Sequence, residues 1–353
     1  MLTYTLKIIQ IYKETDDACT ICFKQPGLKK IKYKAGQYIT LIVRINGRKY
    51  ARPYSFSSAP GIDATLNITI KRVPGGVVSN HILDKVNVGD MMEVIEPMGD
   101  FILQETLKDI NDKHLILWGS GSGITPLMSI TKYALKEKDF KHITLVYGNR
   151  NFETTIFSEQ IKQLEKLYPN NFSTWHFHTK PVIDENNPYV ILGRIDAKKI
   201  LDVMRLEGGF TDTIHYICGP RGLKDSVKTV LKVIGVNVEN IFSEDFEVTR
   251  DLKEFENIAT QNVEIKMNNF TSTIEVTKGK SILEASLDAM LDLPYSCQTG
   301  SCLLCKATLL RGSIKTIGID SLPAEFQADE CLLCCSFPLS DDIKVFVKNQ
   351  LLK

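Results

Sequence analysis

Six of the nine cysteines fall between Cys297 and Cys335, and their spacing constrains the chain more than any other feature. Cys297, Cys302 and Cys305 form a C-x4-C-x2-C run, and Cys334 follows twenty-nine residues after the last of them. Four thiolates at that spacing suit a [2Fe–2S] cluster. A loop wrapped so closely needs small residues, and Gly300 can take a positive φ that brings backbone N–H groups to the sulfurs. The rival is a zinc ribbon, because Cys302-x2-Cys305 and Cys331-x2-Cys334 are also two C-x2-C knuckles. A ribbon would leave Cys297 unused. Cys331 and Cys335 are expected to pack in a core, with replacement of a ligand as the alternative. Cys19 and Cys22 lie on a strand and read as small buried apolar groups.

An odd cysteine total with no export signal argues against a disulfide framework. Met1–Ile11 carries Lys7 inside an alternating, strand-like pattern, not a signal-peptide core. Forty-three basic against forty-two acidic residues leave a formal charge of +1, so no global field draws the chain to nucleic acid or an anionic membrane. Apolar runs such as His114–Trp118 fall well short of the roughly 18 residues of a membrane span. A cytoplasmic protein with no nucleic-acid or membrane partner is expected.

At about 100–200 residues per domain, 353 residues make two or three domains. From Thr3 to about Ile102 short β-branched runs alternate with Gly, Pro, Asn and Asp, which predicts an antiparallel barrel. From His114 strands and helices alternate, as in a parallel sheet covered on both faces. Glu153–Tyr168 is expected to be one helix. The charged stretch around Thr249–Asn257 reads as a linker. Beyond it lie a hairpin, a helix over Ile282–Leu291, and the cysteines. The expected division is 1–108 for the barrel, 109–247 for the α/β domain, 248–260 for the linker and 261–353 for the cysteine-bearing domain.

Two further regions carry chemistry. Arg52-Pro53-Tyr54-Ser55 ends a strand, where an Arg can clamp a pyrophosphate and a Tyr can face a flat ring. Lys71–Ser79 follows, with Gly75-Gly76 and Ser79 presenting backbone amides at a helix start. His81, just past that turn, either approaches phosphate or sits on the helix surface. In the second region, Leu115–Pro126 is a strand running into Gly119-Ser-Gly121-Ser-Gly123-Ile-Thr125-Pro126, a turn and helix start suited to a dinucleotide pyrophosphate. Tyr147-Gly-Asn149-Arg150 ends the next strand. Arg150 has no acidic neighbour before Glu153, which leans towards a 2′-phosphate and NADPH over NADH. Cys218-Gly219-Pro220 ends a later strand without a base in its motif, so Cys218 is read as a positioning group and not a nucleophile.

Pro294–Cys305 with Leu332–Pro338 resembles a plant-type ferredoxin domain, and the flavin and nucleotide motifs together resemble the ferredoxin-NADP reductase superfamily. The order of the parts is similar to the reductase components of multicomponent bacterial oxygenases, most of all the reductase subunits of phenylacetyl-CoA epoxidases. It also fits the phthalate dioxygenase type, which uses FMN. The resemblance implies three domains: a flavin barrel, an NAD(P) α/β domain and an α+β β-grasp ferredoxin domain. It implies FAD, with FMN open, NADPH or NADH as donor, and cluster ligands Cys297, Cys302, Cys305 and Cys334.

By the same resemblance Arg52, Gly76, Val77 and Ser79 hold the flavin phosphates, while Tyr54 and Ser55 touch the ring. Cys218 lies beside the nicotinamide, Glu244 lies near the flavin, and Phe246 can cover it. Hydride would pass from nicotinamide to flavin and single electrons to the cluster, in phenylacetate-type catabolism, with an oxygenase as acceptor. A stand-alone electron-transfer or redox-sensing flavoprotein is the alternative. Glu284, Asp288 and Asp292 share one helix face, either as a docking surface for a basic partner or as an ordinary solvated face.

Overall fold

The computed structural model describes every residue except 1, 28–29, 105–109, 138–139, 181–189, 208, 210, 249, 268–269, 320–321 and 349–353. The expected 108/109 border lies outside the described residues. The described residues cluster into two compact units: one of 1–3, 40–53 and 246–353, the other of 4–39 and 54–245.

The N-terminal strands are β1 (Thr3–Thr15), β2 (Ala18–Phe23), β3 (Tyr38–Ile45), β4 (Arg48–Ser55), β5 (Leu66–Lys71) and, after helix α1 (Val77–Lys85), β6 (Met91–Met98). Their order in the sheet is β4-β3-β6-β1-β2-β5. Phe56, just past β4, bridges antiparallel to Ile68 of β5. Every residue of β2 is buried. Cys19 and Cys22 are therefore packing residues, and burial pushes each thiol up to about 11.

The α/β part comprises β7 (His114–Ser120), α2 (Ile124–Glu137), β8 (His142–Asn149), α3 (Ser158–Leu167), β9 (Phe172–His178), β10 (Val190–Leu192), α4 (Ala197–Leu206), β11 (Thr213–Cys218), α5 (Arg221–Val233) and β12 (Ile241–Glu244). All neighbours are parallel, in the order β10-β9-β8-β7-β11-β12. Alternation along β7 feeds two cores: Leu115 and Leu117 pack with Leu127 and Met128 of α2, while Ile116 and Trp118 pack with Ile200 and Val203 of α4 and Val227 of α5. The chain turns back across the sheet at β7, whose neighbours are β8 and β11, and ligand sites in such sheets lie at the carboxyl ends of the strands there.

The helix expected over Glu153–Tyr168 is shorter than its sequence pattern. Asn151 forms a capping box with Thr154 over a single 3-10 turn, the β-branched Thr154-Thr155-Ile156 run follows, and α3 begins only after Phe157, whose φ is 63°.

The last part contains β13 (Gln261–Met267), β14 (Phe270–Val276), α6 (Ile282–Asp288), β15 (Lys306–Arg311), β16 (Ile314–Thr316), β17 (Glu330–Leu332), β18 (Ser336–Pro338) and β19 (Ile343–Val347). Its main sheet runs β14-β13-β19-β15-β17, with β13 and β19 parallel. A capping box between Ser281 and Glu284 starts α6, which ends earlier than expected; Met290 beyond it has φ 62°. The charged stretch before β13 is not a bare connector. Leu252–Phe255 forms a 3-10 turn, and Phe255 and Ile258 join Ile317 and Phe337 in a buried cluster.

Candidate functional site

The four cysteines of the spacing motif are brought together in two pairs. Cys297, Cys302 and Cys305 lie on the loop between α6 and β15, and Cys334 lies on the 3-10 turn after β17. Gln298, Gly300 and Leu303 all have left-handed φ, at 60°, 85° and 60°, which curls this loop tightly. The Thr299 and Cys302 amides then point at Cys297 Sγ, each at 3.3 Å. Cys302 hydrogen-bonds to Cys297, and Cys305 to Cys334. In the first pair one thiol is favoured as thiolate: Cys297 is brought down to about 4, chiefly by the Cys302 thiol. Cys305 is pushed far up by its bond to Cys334 and by burial.

This pairing decides between the two metal readings. A single zinc holds four sulfurs within about 3.8 Å of one another, given Zn–S of about 2.3 Å. Among the described residues, no three cysteines have their sulfurs within 4.8 Å of one another. Two pairs, one for each of two irons, fit a [2Fe–2S] cluster instead. Cys331 faces Ala307 across the β15–β17 ladder, sits in the apolar core and is raised by burial to about 11. Cys335 Sγ is 3.5 Å from Cys334 Sγ, and a Cβ on Gly300 would come within 3.2 Å of it.

Hydrogen bonds within the same compact unit hold the cluster loop. Ser296 and Thr40 hydroxyls are 2.6 Å apart, and the Ala51 amide donates to Tyr295 Oη at 2.9 Å. Arg250 donates to the Glu284 carboxylate at 3.0 Å and to the Cys334 carbonyl at 3.4 Å. Removing a charge-assisted bond of about 1.5–3 kcal/mol at a ligand's own backbone should loosen the cluster. Arg250→Ala is therefore expected to raise the rate of iron loss to a chelator by about tenfold at unchanged flavin content. A chelation time course beside a flavin assay checks it.

The helix face read as either a docking surface or a solvated face is tied down by ion pairs. Besides the Arg250 pairing of Glu284, Asp288 pairs with Arg48 at 2.8 Å and Lys280 at 2.6 Å, and Asp292 pairs with Lys49 at 2.9 Å. The three acids are internal ties, not a free acidic patch for a basic partner.

The other unit gathers most of the flavin and nucleotide residues. Tyr54 and Ser55 end β4, and Ser55 is buried. Gly75 has φ 71°, and the Gly76 amide donates to the Val73 carbonyl at 2.9 Å. Ser79 Oγ accepts from the Val73 amide at 3.1 Å. These bonds close the turn on itself at the start of α1, whose first turn has no acidic residue, leaving a positive helix end open to an anion. His81 lies on α1, half-buried.

The glycine-rich turn after β7 shows why its glycines are there. Gly121 has φ 54°, and its carbonyl accepts from Tyr147 Oη at 2.9 Å. A Cβ on Gly123 would collide with the Cys218 carbonyl, and one on Gly219 would lie 3.3 Å from the Ser120 amide. The two turns are nested. Thr125 and Pro126 open α2, Thr125 Oγ1 donates to the Ser122 carbonyl at 3.0 Å, and Pro220 caps α5. Cys218 is fully buried and is paired in register with Glu244 of β12. Desolvation first, then the Glu244 charge, keeps this thiol well above the usual range, so it is no nucleophile at neutral pH. Burial, helped by Asp245 and Asp100, pushes Glu244 itself up to about 8. Its Oε2 is buried with no hydrogen-bond partner among the described residues.

Asn149 is buried with its Nδ2 unpartnered, and Arg150 beside it is exposed. Sequence reasoning missed their neighbours. His178, paired in register with Asn149, is fully buried with both ring nitrogens unpartnered, and Phe152 stands edge-on to it at 4.6 Å. The signal would have been polar residues at the end of an otherwise apolar strand. Arg52, Pro53 and Phe246 belong to the other compact unit. Arg52 donates to the Ala51 carbonyl at 2.8 Å, and Phe246 is exposed.

Comparison with known proteins matches this geometry part by part. Residues 5–102 match the oxidoreductase FAD-binding domain, 117–229 the oxidoreductase NAD-binding domain, and 265–339 the 2Fe-2S iron-sulfur cluster binding domain. One 1,2-phenylacetyl-CoA epoxidase subunit, from Escherichia coli K12, is 30% identical over 354 residues, covering 97% of both chains. The chain belongs to the ferredoxin reductase family that carries a C-terminal [2Fe–2S] domain. This reductase is also 27% identical to the ferredoxin reductase component of 3-ketosteroid-9-alpha-monooxygenase from Rhodococcus rhodochrous, over 96% of its own length and 95% of the other. Among solved structures it shares its fold with phthalate dioxygenase reductase, at a TM-score of 0.67, 22% identity and 98% of each chain. No helix of the reductase, among the described residues, is long and apolar enough to cross a membrane.

Proposed function

We propose that this reductase is the electron-supplying component of a multicomponent oxygenase that acts in phenylacetate-type aromatic breakdown. The observation that carries the reading is the end-to-end likeness to the epoxidase protein, with the cysteines set in two pairs. A bound flavin accepts hydride from NAD(P)H and releases electrons singly to a one-electron carrier.

The chain's own residues bind and orient. Arg52, Gly76, Val77 and Ser79 would hold the flavin phosphates, while Pro53, Tyr54 and Ser55 would face its ring. Gly121, Gly123, Thr125 and Pro126 would receive the nucleotide pyrophosphate. Cys218, Gly219 and Pro220 would position the nicotinamide in a dry pocket, with Glu244 beside it neutral near pH 7 and Phe246 covering the ring. Cys297, Cys302, Cys305 and Cys334 would ligate the cluster.

Coupling tests the reading. With purified phenylacetyl-CoA epoxidase oxygenase subunits, phenylacetyl-CoA and air, NAD(P)H oxidation should match product formation. Full ferricyanide reduction without any coupled product would overturn the assignment to this pathway. Arg150 would set the nucleotide preference. Arg150→Ala should raise KM for NADPH by about tenfold, the worth of one charged contact, and leave KM for NADH unchanged. Steady-state kinetics with both donors check it.

A further inference from the structure

At the end of the nucleotide sheet away from the glycine turn, three metal-ligating side chains converge. His114 and His142 are the first residues of β7 and β8, and Glu207 directly follows α4. His114 Nε2 and His142 Nε2 lie 3.9 and 3.8 Å from Glu207 Oε2. The three ligand atoms all fall within 4.8 Å of one another, the only such group among the described residues.

Hydrogen-bond accounting shows that this cluster turns several acceptor atoms towards one another. His114 Nδ1 is 2.8 Å from the Glu207 carbonyl and His142 Nδ1 is 3.3 Å from the Asn170 carbonyl. Carbonyls only accept, so each Nδ1 carries a proton, and a ring with one proton has Nε2 as a bare lone pair. Those lone pairs and the two Glu207 oxygens face three protons: the Thr144 hydroxyl, the Ser173 hydroxyl and the Trp175 indole N–H. The indole donates to Glu207 Oε1 at 2.5 Å. Thr144 Oγ1 is 2.8 Å from His114 Nε2 and 2.7 Å from Glu207 Oε2, but its one proton serves one of them. Ser173 Oγ is likewise shared between His142 Nε2 at 2.9 Å and Glu207 Oε2 at 3.3 Å. The Thr144 and Ser173 hydroxyls, 3.0 Å apart, also face each other, so the protein groups here offer fewer donors than acceptors.

We propose that His114, His142 and Glu207 bind a divalent transition metal of the zinc class at the amino-terminal rim of the nucleotide sheet. Two imidazoles and a carboxylate are a borderline-soft donor set. Tetrahedral sites with N and O ligands at about 2.0–2.1 Å have ligand atoms about 3.4 Å apart, so the 3.9 and 3.8 Å separations from Glu207 need close by only about half an ångström. The surroundings already have the form that supports such ligands: each His donates its other N–H to a backbone carbonyl, and the carboxylate is itself hydrogen-bonded. A path from solvent exists, since the His142 side chain is 25% exposed while His114 and Glu207 are 10% and 13% exposed. The cluster and the glycine turn occupy opposite ends of β7, about 20 Å apart at about 3.3 Å per residue. The metal would therefore act as a clip, joining the starts of β7 and β8 to the end of α4, outside the electron path.

The test uses the iron–sulfur-loaded, flavin-bound protein titrated with Zn2+ in a calorimeter, with cluster absorbance followed in parallel. One equivalent should bind and raise Tm while the cluster spectrum stays unchanged. His142→Ala should weaken that binding by at least about 100-fold and abolish the rise in Tm, with NAD(P)H–ferricyanide turnover unaltered. Glu207→Gln, close in shape, serves as the second variant and should weaken binding to a similar degree. No stoichiometric binding, or equal binding in the parent and both variants, would overturn the proposal.

Discussion

Cys334→Ser is expected to strip the protein of its iron while leaving the flavin in place. Electron delivery to a one-electron acceptor such as cytochrome c or the oxygenase should fall by at least about 100-fold, because losing a ligand exceeds the 10- to 100-fold effects of outer-sphere partners. NAD(P)H–ferricyanide turnover should stay within about twofold of the parent, since that route ends at the flavin. The reason lies in the pairing: Cys334 completes the second pair with Cys305. Cys331→Ser should retain the iron, because Cys331 is turned into the apolar core across from Ala307. Cys335→Ser is the sharper control, as its sulfur is 3.5 Å from that of Cys334. Iron content and visible spectra of the three variants decide the ligand set. Iron kept by Cys334→Ser and lost from Cys335→Ser would move the fourth ligand one residue along.

The parts of this molecule that were legible in the sequence depend on local spacing. The cysteine loop, the Gly121–Gly123 turn and the alternation that splits β7 between two cores all span a dozen residues or fewer, so periodicity and spacing record them directly. What escaped depends on residues far apart in the chain. Glu284, Asp288 and Asp292 read as one charged helix face, yet the partners of Asp288 and Asp292 include Arg48 and Lys49, 240 and 243 positions away. Asp100, which bears on Glu244, and Thr144, Ser173 and Trp175, which surround Glu207, are likewise set by the sheet and not by neighbours in sequence. The Glu153–Tyr168 helix failed for a nearer reason, since a capping box and a β-branched run outweighed an apolar period.

Glu244 should make this reductase lose stability as pH rises through neutrality, and Glu244→Gln should remove that loss. Folded, its carboxyl titrates at about 8 instead of the ordinary 4.5, because burial disfavours the carboxylate and the charges of Asp245 and Asp100 add to the effect. Between those two values the unfolded chain has released the proton and the folded chain still holds it. The unfolded state then binds fewer protons, so unfolding becomes easier with rising pH, by at most about 1.4 kcal/mol per pH unit, and the effect levels off above about 8. Below 4.5 both states are protonated and the glutamine variant should match the parent. At pH 8.5 the variant should melt higher, with a gap that opens steadily from pH 5 upward. If Glu244 lies beside the nicotinamide as proposed, catalysis should follow the same proton. A neutral Glu244 beside Cys218 can donate a hydrogen bond, as glutamine can, so the variant should keep most of its hydride-transfer rate at pH 6.5. Above pH 8 the parent rate should fall as the carboxylate forms in the dry pocket, while the variant rate should not. Melting curves at pH 5 and 8.5 with stopped-flow flavin reduction across the same range test both halves; parallel profiles for the two proteins would show that Glu244 is already ionised at neutral pH.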